Sequence, residues 1–322
     1  MHVLVTGATG YLGRAITGAL RASGHSVVAY GRTASASQLD ATLIDGDIRD
    51  AAAVTRACAG CDAIIHGAAL VAVWRRRAAE FDEVNIGGLV NVLDAARTHG
   101  IPRIVYTSSF LALPPAGHPA LVPHWNDYQR TKAIANKVAS DAAGKGAPII
   151  RICPGVIYGP GRLTDGNLVG RQIADHMAGR LPGVVGADRT WSFAFVDDVA
   201  AGHVAALERG RVGHQYFLGG ENAPQMRAFE VVRALTGRPL PRRLPAWAAS
   251  CAALLDELRV TLLGGTPQLT TGTLEILLHD WPLDSSDAVA ELGYRITPLE
   301  TGVERIVTWL TAQRAATAGA AS

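Results

Sequence analysis

Tyr128 and Lys132 stand four residues apart in the run YQRTK. On a helix, such positions share one face, a turn apart. An ammonium that close favours a phenolate and draws a tyrosine pKa down from its reference near 10. A tyrosine tuned in this way exchanges a proton with a substrate oxygen near neutral pH. Upstream lies Ser109, the last of three hydroxyl residues (Thr107, Ser108, Ser109) that close the apolar run from Ile104. Hydroxyls at the carboxyl end of a parallel strand project into the crevice where α/β folds bind ligands. One of them can donate a hydrogen bond to a carbonyl and stabilise the charge that develops on its oxygen. Singly, these signals read equally as a solvated helix face and a capped strand end. Their succession favours catalysis.

Chemistry at such a site needs a cofactor, and the beginning of the chain supplies a place for one. Residues 2–13 read HVLVTGATGYLG: a short apolar run, then Gly7, Gly10 and Gly13 at a spacing of three, then helical composition over Arg14–Ser23. A strand, a glycine turn and a helix start bind a dinucleotide pyrophosphate. Gly7 allows the tight turn, Gly10 lets backbone N–H groups approach the phosphates, and Gly13 lets the helix pack closely on the strand. The second strand ends VVAYGRTAS. NAD sites usually place Asp or Glu at its tip to bond the ribose 2′-OH. Gly31 holds that place and Arg32 follows, and an arginine with no acid beside it welcomes a 2′-phosphate. NADP is therefore expected. If Arg32 merely stacks on the adenine, NAD remains usable.

The elements that must position these groups alternate regularly. Apolar runs at Val3–Val5, Ser26–Tyr30, Thr42–Ile44, Ala63–His66, Ile104–Thr107 and Ile149–Cys153 are separated mostly by alanine-rich amphipathic stretches such as Val84–Thr98 and Tyr128–Ala143. This is the βαβ rhythm of a parallel sheet covered on both faces. After residue 160 the rhythm gives way to glycine-rich segments, several prolines and a long apolar helix candidate. The reading is a nucleotide-binding domain over residues 1–160 and a smaller, mainly substrate-binding domain over residues 161–322. The chain is expected back at the sheet near Ser192–Val196 and Gln215–Leu218. The apolar run Leu244–Leu255 reads as a buried helix in preference to a membrane-facing one, and the tail Ala315–Ser322 as frayed.

The GxxGxxG spacing in TGATGYLG, with YxxxK and the strand-end serines, resembles the extended branch of the short-chain dehydrogenase/reductase superfamily. The similarity runs along nearly the whole chain. It implies an α/β fold, a Rossmann-type doubly wound parallel sheet with a smaller C-terminal substrate-binding domain. It implies Ser109, Tyr128 and Lys132 as the catalytic set, with Asn85 in NIGGLVNVL as a helix asparagine that props the site. GDIRD places Asp47 and Ile48 by the adenine. HGAAL places Ala68 and Ala69 beside the pyrophosphate and ribose. PGVIYGPG places Pro154, Gly155 and Val156 near the nicotinamide. Thr9, Tyr11 and Leu12 of the glycine loop, and Thr107 with Tyr128 and Lys132, complete the implied cofactor contacts. FVDDVA matches a helix entry where Asp197 and Asp198 read as caps, and LDSSDAVAELGY matches the terminal helix region.

Within that superfamily, the wording from GNLVGRQI to GHVAALERGRVG is similar to dihydroflavonol-reductase-like proteins of the plant farnesol dehydrogenase type, which handle apolar carbonyls and alcohols. The expected activity is hydride transfer between NADP and a hydrophobic ketone, aldehyde or alcohol. The alternatives are a nucleotide-sugar epimerase or dehydratase on the same fold, or a silent NADP-binding sensor. Dehydratases of the superfamily carry acids directly after the strand-end hydroxyl, where this chain has Phe110 and Leu111. Its epimerases retain NAD with an acid on strand two. An intact Ser–Tyr–Lys set is superfluous in a pure binder. The pocket is expected to draw on Phe110, Trp125, Asn167, Trp191 and Phe193, although the aromatic residues suit a core equally. Only 18 residues separate Ser109 from Tyr128, a short version of a segment that borders substrate in relatives.

Bulk properties narrow the classes. Of 322 residues, 48% are apolar and 18% charged, as in a globular chain, and the net charge of +2 argues against a nucleic-acid partner. No apolar run reaches the roughly 18–20 residues of a membrane span. A first strand at residue 2 leaves no room for a leader, so a cytoplasmic protein is expected. Cys58 and Cys61 form a CxxC that no second pair completes, so no metal site is expected and a structural reading is preferred. Arg75–Arg77 reads as a solvated run. A homodimer built on the Tyr128 and Val84–Thr98 helices is expected, with Leu89, Val92 and Val138 as compatible apolar positions unless they face the sheet.

Overall fold

The computed structural model describes residues 1–118 and 124–319. Seven strands form one parallel sheet: β1 (His2–Thr6), β2 (Ser26–Gly31), β3 (Thr42–Asp45), β4 (Ala63–His66), β5 (Ile104–Thr107), β6 (Ile149–Pro154) and β10 (Gln215–Leu218), in the order β10-β6-β5-β4-β1-β2-β3. The chain runs outward from β1 to β3, then restarts at β4 and runs the other way. The reversal leaves a crevice between β1 and β4 at their carboxyl ends, where such sheets bind ligands.

Alternation along each strand explains why both faces are covered. Val3, Val5, Ile65, Val105, Ile150 and Ile152 bury one face, together with helix α1 (Tyr11–Ala22) and α7 (Val196–Arg209). Leu4, Ile64, Ile104, Tyr106 and Ile149 bury the other, against α2 (Ala51–Ala57), α4 (Gly88–Thr98) and α5 (Asp127–Gly144). A two-residue period with both sets apolar is the pattern of a sheet buried on two sides. The short helix α3 (Ala79–Phe81) and a π-helical turn over Asp82–Gly87 precede α4, so the expected helix at Val84–Thr98 begins with one wide turn. Such turns recur at functional sites, and this one carries Asn85.

A second lobe covers the carboxyl edge. It contains the three-stranded sheet β11-β9-β7, of β7 (Val156–Tyr158), β9 (Thr190–Phe195) and β11 (Glu221–Pro224), and the two-residue pair β8 (Val184–Val185) and β12 (Arg243–Leu244). Around them pack α6 (Leu168–Met177), α8 (Arg227–Thr236), α9 (Ala246–Leu263), α10 (Thr271–Leu277), α11 (Ser286–Leu292) and α12 (Leu299–Gly319). Their own core contains Tyr158, Ile173, Trp191, Phe193, Phe195, Val232 and Trp281.

Several expectations are corrected here. Gln215–Leu218 is the edge strand of the large sheet, but Ser192–Val196 does not join that sheet; it pairs with β7 and β11. Residues 315–319 of the tail continue α12, and residues 320–322 lie outside the described part. Leu89 and Val92 are fully buried against the large sheet, and Val138 packs on the same cluster; Val90 and Ile134 are the exposed large apolar residues of these two helices. Asp198 does not cap its own helix: it accepts from the backbone N–H and hydroxyl of Thr297 at 2.7 and 3.0 Å, holding the approach to α12. The helix over Leu244–Leu255 forms but is not buried, because only Ala249, Ala253 and Val260 of α9 turn inward.

Candidate active site

The glycine turn closes the gap between β1 and α1. Gly7 sits at φ +72°, and a Cβ there would lie 2.7 Å from the Ala68 backbone nitrogen. A Cβ on Gly13 would come within 2.1 Å of the Gly7 carbonyl oxygen. Neither position admits a side chain without moving backbone. α1 has no side-chain cap and no acid in its first turn, so its free N–H groups face the crevice. A cradle this bare, at a helix N-terminus, suits an anionic pyrophosphate. Tyr11 tucks its ring under Gly159 and Gly161, Leu12 packs on the sheet core, and Arg14 and Arg162 donate to the Thr9 carbonyl. The two arginines had no signal in the sequence, because one follows the motif and the other arrives from a distant loop.

The adenosine end is framed by β2 and β3. Arg32 is exposed just past Gly31, and no ion pair is found for it among the described residues. Asp47 bonds Arg49 at 2.6 Å, which holds its carboxyl below the usual range, with a lesser contribution from Arg32. Ile48 is buried beneath. Past β4, the Ala68 N–H donates to the Thr6 hydroxyl at 3.2 Å, and that hydroxyl also meets His66 Nδ1 at 2.7 Å. Ala69 follows in the same partly exposed loop.

The reacting groups gather where β5 meets α5. Asn126 caps α5 by accepting from the Gln129 N–H at 2.8 Å, which fixes the helix start two residues before Tyr128. The Tyr128 phenol neighbours the Ser109 side chain, which favours its ionised form. Burial nevertheless pushes the phenol up to about 12, whereas a lowered value was expected from the lysine. Desolvation of the phenol is the cause; Lys132, also buried, donates its Nζ to the Thr107 carbonyl at 2.9 Å, and burial lowers its own pKa to about 8. Thr107 is held from the far side by His203. The Nδ1–H of His203 faces the Val199 carbonyl at 2.7 Å, so its Nε2 accepts from the Thr107 hydroxyl at 3.0 Å. His203 had no sequence signal, being one polar residue on an apolar helix.

Asn85 ties the site together. Its Oδ1 accepts from the Leu70 N–H at 2.7 Å and its Nδ2 donates to the Thr131 hydroxyl at 2.9 Å. It thus links the loop after β4 to the helix that carries Tyr128. Past β6, the Gly155 N–H donates to the Leu218 carbonyl at 3.1 Å, and a Cβ on Gly155 would come within 2.4 Å of the Ser192 carbonyl oxygen. Pro154 and Val156 are buried on either side.

The substrate-side residues separate into two groups. Phe110 meets Trp281 edge-on at 5.4 Å, and Trp125 stacks obliquely on His279 at 4.4 Å; both are only partly buried. Trp191 and Phe193, at 2% and 1% exposure, belong to the packed core of the second lobe. Asn167 has no exposure, and its amide is spent on the Gly159 and Arg162 carbonyls and the Gly170 N–H. It holds a loop and presents no side-chain surface in this conformation. His279 and Trp281 were not legible, because they reach the site from more than a hundred residues away with no motif around them. The expected border segment between Ser109 and Tyr128 includes residues 119–123, which lie outside the described residues.

A doubly wound sheet, a bare glycine cradle at its switch point and a tyrosine–lysine pair on the adjoining helix define a nucleotide-dependent enzyme of the short-chain dehydrogenase/reductase class. The sequence profile of the NAD dependent epimerase/dehydratase family matches residues 3–219. The chain belongs to this family, in its extended short-chain branch, and is an NAD(P)-dependent oxidoreductase. It is 32% identical to sterol demethylase protein B of Methylococcus capsulatus, over 96% of this chain and 98% of that protein. It is 30% identical to a 2-alkyl-3-oxoalkanoate reductase of Stenotrophomonas maltophilia, over 95% and 98% respectively. Among solved structures, gox2253 superposes with a TM-score of 0.80 at 30% identity, over 97% of this chain and 98% of that one.

Proposed function

We propose that the protein is an NADP-dependent reductase or dehydrogenase that interconverts a hydrophobic ketone or aldehyde and its alcohol. The observation that carries this reading is the neighbouring placement of Tyr128 and Ser109 at the carboxyl edge of the sheet, beside the partly buried rings of Phe110 and Trp125. When bound, the nicotinamide supplies or accepts the hydride. Tyr128 gives the substrate oxygen its proton, or takes it in the reverse direction. Its high pKa keeps it protonated and ready to donate. The Ser109 hydroxyl hydrogen-bonds the same oxygen and polarises the carbonyl. Lys132, anchored on the Thr107 carbonyl, brings positive charge to the site and would hold the ribose of a bound cofactor. Asn85 orients the loop after β4 against α5 and is a positioning residue. NADP is favoured by an exposed Arg32 beside Gly31, where no acid competes for the ribose.

The sterol and 2-alkyl-3-oxoalkanoate names of the relatives support an apolar carbonyl. The same reading includes a cytoplasmic location, in keeping with four free cysteines. Cys58 and Cys61 are buried in the core, where they act as small apolar residues. A homodimer through α4 and α5 would now rest on Val90 and Ile134.

NADPH consumption measured with apolar ketones, aldehydes and 3-oxo acids, and separately with nucleotide sugars, tests the reading. Turnover confined to the apolar carbonyls is expected. Interconversion of a nucleotide sugar without net NADPH loss would overturn it in favour of an epimerase, and tight NADPH binding without any turnover would point to a sensor.

A further inference from the structure

α9 carries an apolar surface that no other part of the described residues covers. Trp247, Leu254, Leu255, Leu258 and Leu262 are 72, 58, 67, 53 and 72% exposed, and Cys251 is exposed among them. At about 100° per residue, these six positions fall within one stripe about 100° wide, and Trp247 to Leu262 spans about 22 Å of helix. The inward residues, Ala249, Ala253 and Val260, lie on the opposite side. The stripe is therefore an ordered helix face, with no second layer over it. A contiguous exposed apolar patch of this kind marks an interaction surface.

The charges around the stripe identify its occupant. Residues 238–263 contain four arginines and two acids. Both acids turn away from the stripe into the loop between α9 and α10. Asp256 accepts from the Gln268 and Leu269 N–H groups and from Arg259, and Glu257 accepts from the N–H and hydroxyl of Thr271. Arg242 and Arg243 are exposed just ahead of the helix, and Arg259 flanks the stripe; Arg243 pairs with the exposed carboxylate of Asp188 at 2.5 Å and Arg259 with Asp256 at 2.7 Å. Arg242 has no ion pair among the described residues. The face is thus leucine-rich, with Arg242 unpaired at its start and with Asp188, Asp256 and Glu257 all engaged within the chain. A second copy packed on it across a two-fold axis would set Arg242 against a face whose acids are already bonded within their own chain, leaving it without an acid partner. Anionic lipid headgroups supply that acid, and the acyl region receives the leucines. No described helix is long and apolar enough to cross a membrane, so the contact is with a surface.

The inner side of the same unit faces the site. A Cβ on Gly272 of α10 would come within 1.9 Å of the Trp125 carbonyl oxygen, so α10 lies directly on the segment that leads to Tyr128. Just beyond α10, His279 stacks on Trp125 and buried Trp281 backs Phe110.

We propose that the α9 stripe docks the protein on an anionic phospholipid surface, bringing the α9–α10 wall of the substrate site to the place where an apolar carbonyl partitions. The purpose of the docking rests on the apolar-substrate reading; the docking itself is measured without substrate.

The test is co-sedimentation of the full chain with vesicles of phosphatidylcholine mixed with phosphatidylglycerol, and of phosphatidylcholine alone. The intact protein is expected to pellet with the mixed vesicles, less so as salt is raised. Leu254→Glu/Leu258→Glu should weaken binding at least ~tenfold, and Arg242→Glu should weaken it on the anionic vesicles only. Thermal unfolding and NADPH binding, unchanged in these variants, show that the fold persists. Should the double variant fail to fold, Leu262→Glu gives the same readout from the exposed end of the helix. An intact protein that stays in solution with both vesicles, or a double variant that pellets equally well, overturns the proposal. So does a dimer, seen by light scattering, that the double variant dissolves while vesicles go unbound. Vesicle binding without carbonyl turnover would leave the docking standing and remove the substrate reading, and turnover of a short soluble ketone without vesicle binding would do the reverse.

Discussion

Cofactor preference is set at the tip of β2, and Gly31→Asp should reverse it. The substitution fits: the nearest atom to a Cβ at Gly31 is the Thr9 hydroxyl oxygen at 3.5 Å, an ordinary contact, and the backbone there is not in the left-handed region. A carboxylate and a phosphate about 4 Å apart repel by about 1 kcal/mol per unit charge in water and about 4 at an effective dielectric of 20. At this exposed rim the lower figure applies, so about 1–2 kcal/mol is lost to the 2′-phosphate. For NADH the same carboxylate gains a charge-assisted bond to the ribose hydroxyl, about 1.5 kcal/mol. Together these come to about 3 kcal/mol, a swing of roughly a hundredfold or more in the ratio of kcat/KM for NADPH to that for NADH. Steady-state kinetics of the variant with both cofactors measures it, with Arg32→Ala as the companion that should lose about tenfold with NADPH alone. A ratio that moves less than about threefold in a folded Gly31→Asp protein would refute the assignment, because it would mean that the ribose lies elsewhere.

Other outcomes follow from the same geometry. Lys132 carries its charge below about pH 8, so carbonyl reduction should hold steady at neutral pH and decline as pH rises through that value; a rate profile still level at pH ~10 would contradict the role given to this lysine. Its folded pKa lies below the unfolded 10.5, so the unfolded chain binds more protons between the two, and its contribution to stability should rise over that window in denaturant titrations. Asn85→Ala leaves the Leu70 N–H and the Thr131 contact unmet, costing about 2–3 kcal/mol, which should lower Tm by several degrees and reduce kcat. Two glycines of α1 form a matched pair. Gly18→Ala meets nothing within 4 Å and should stabilise by about 0.5–1 kcal/mol, whereas Gly13→Ala should destabilise the chain and abolish NADPH binding in a fluorescence titration.

The sheet was legible because its strands are short apolar runs with turn residues between them, and a two-residue period survives in sequence. The same logic fails for β9. Thr190–Phe195 has the composition of a central strand, but its partner is decided by β11, a strand of Glu-Asn-Ala-Pro that no propensity would pick out. Tyr128 and Lys132 were visible because four-residue spacing on a helix is a local property. What Lys132 touches is not local: the Thr107 carbonyl comes from another strand, and the burial that sets both pKa values comes from three packed layers. His203, His279 and Trp281 were silent for a similar reason, since each reaches the site through packing across long sequence separations. α9 shows the opposite failure. Its alanines and leucines read as a buried helix, and apolar composition alone does not say which side of a helix the rest of the chain will cover.

The central claim is that Tyr128 is the proton donor at a carbonyl polarised by Ser109. Single-turnover reduction of an apolar ketone by pre-bound NADPH, compared between the intact protein and Tyr128→Phe, tests it most directly. The account predicts that the variant binds NADPH with unchanged affinity, keeps its Tm within a few degrees, and loses at least ~10²-fold in the hydride-transfer rate. A variant that still reduces the ketone within a few-fold of the intact rate would place the proton donor elsewhere and contradict the account.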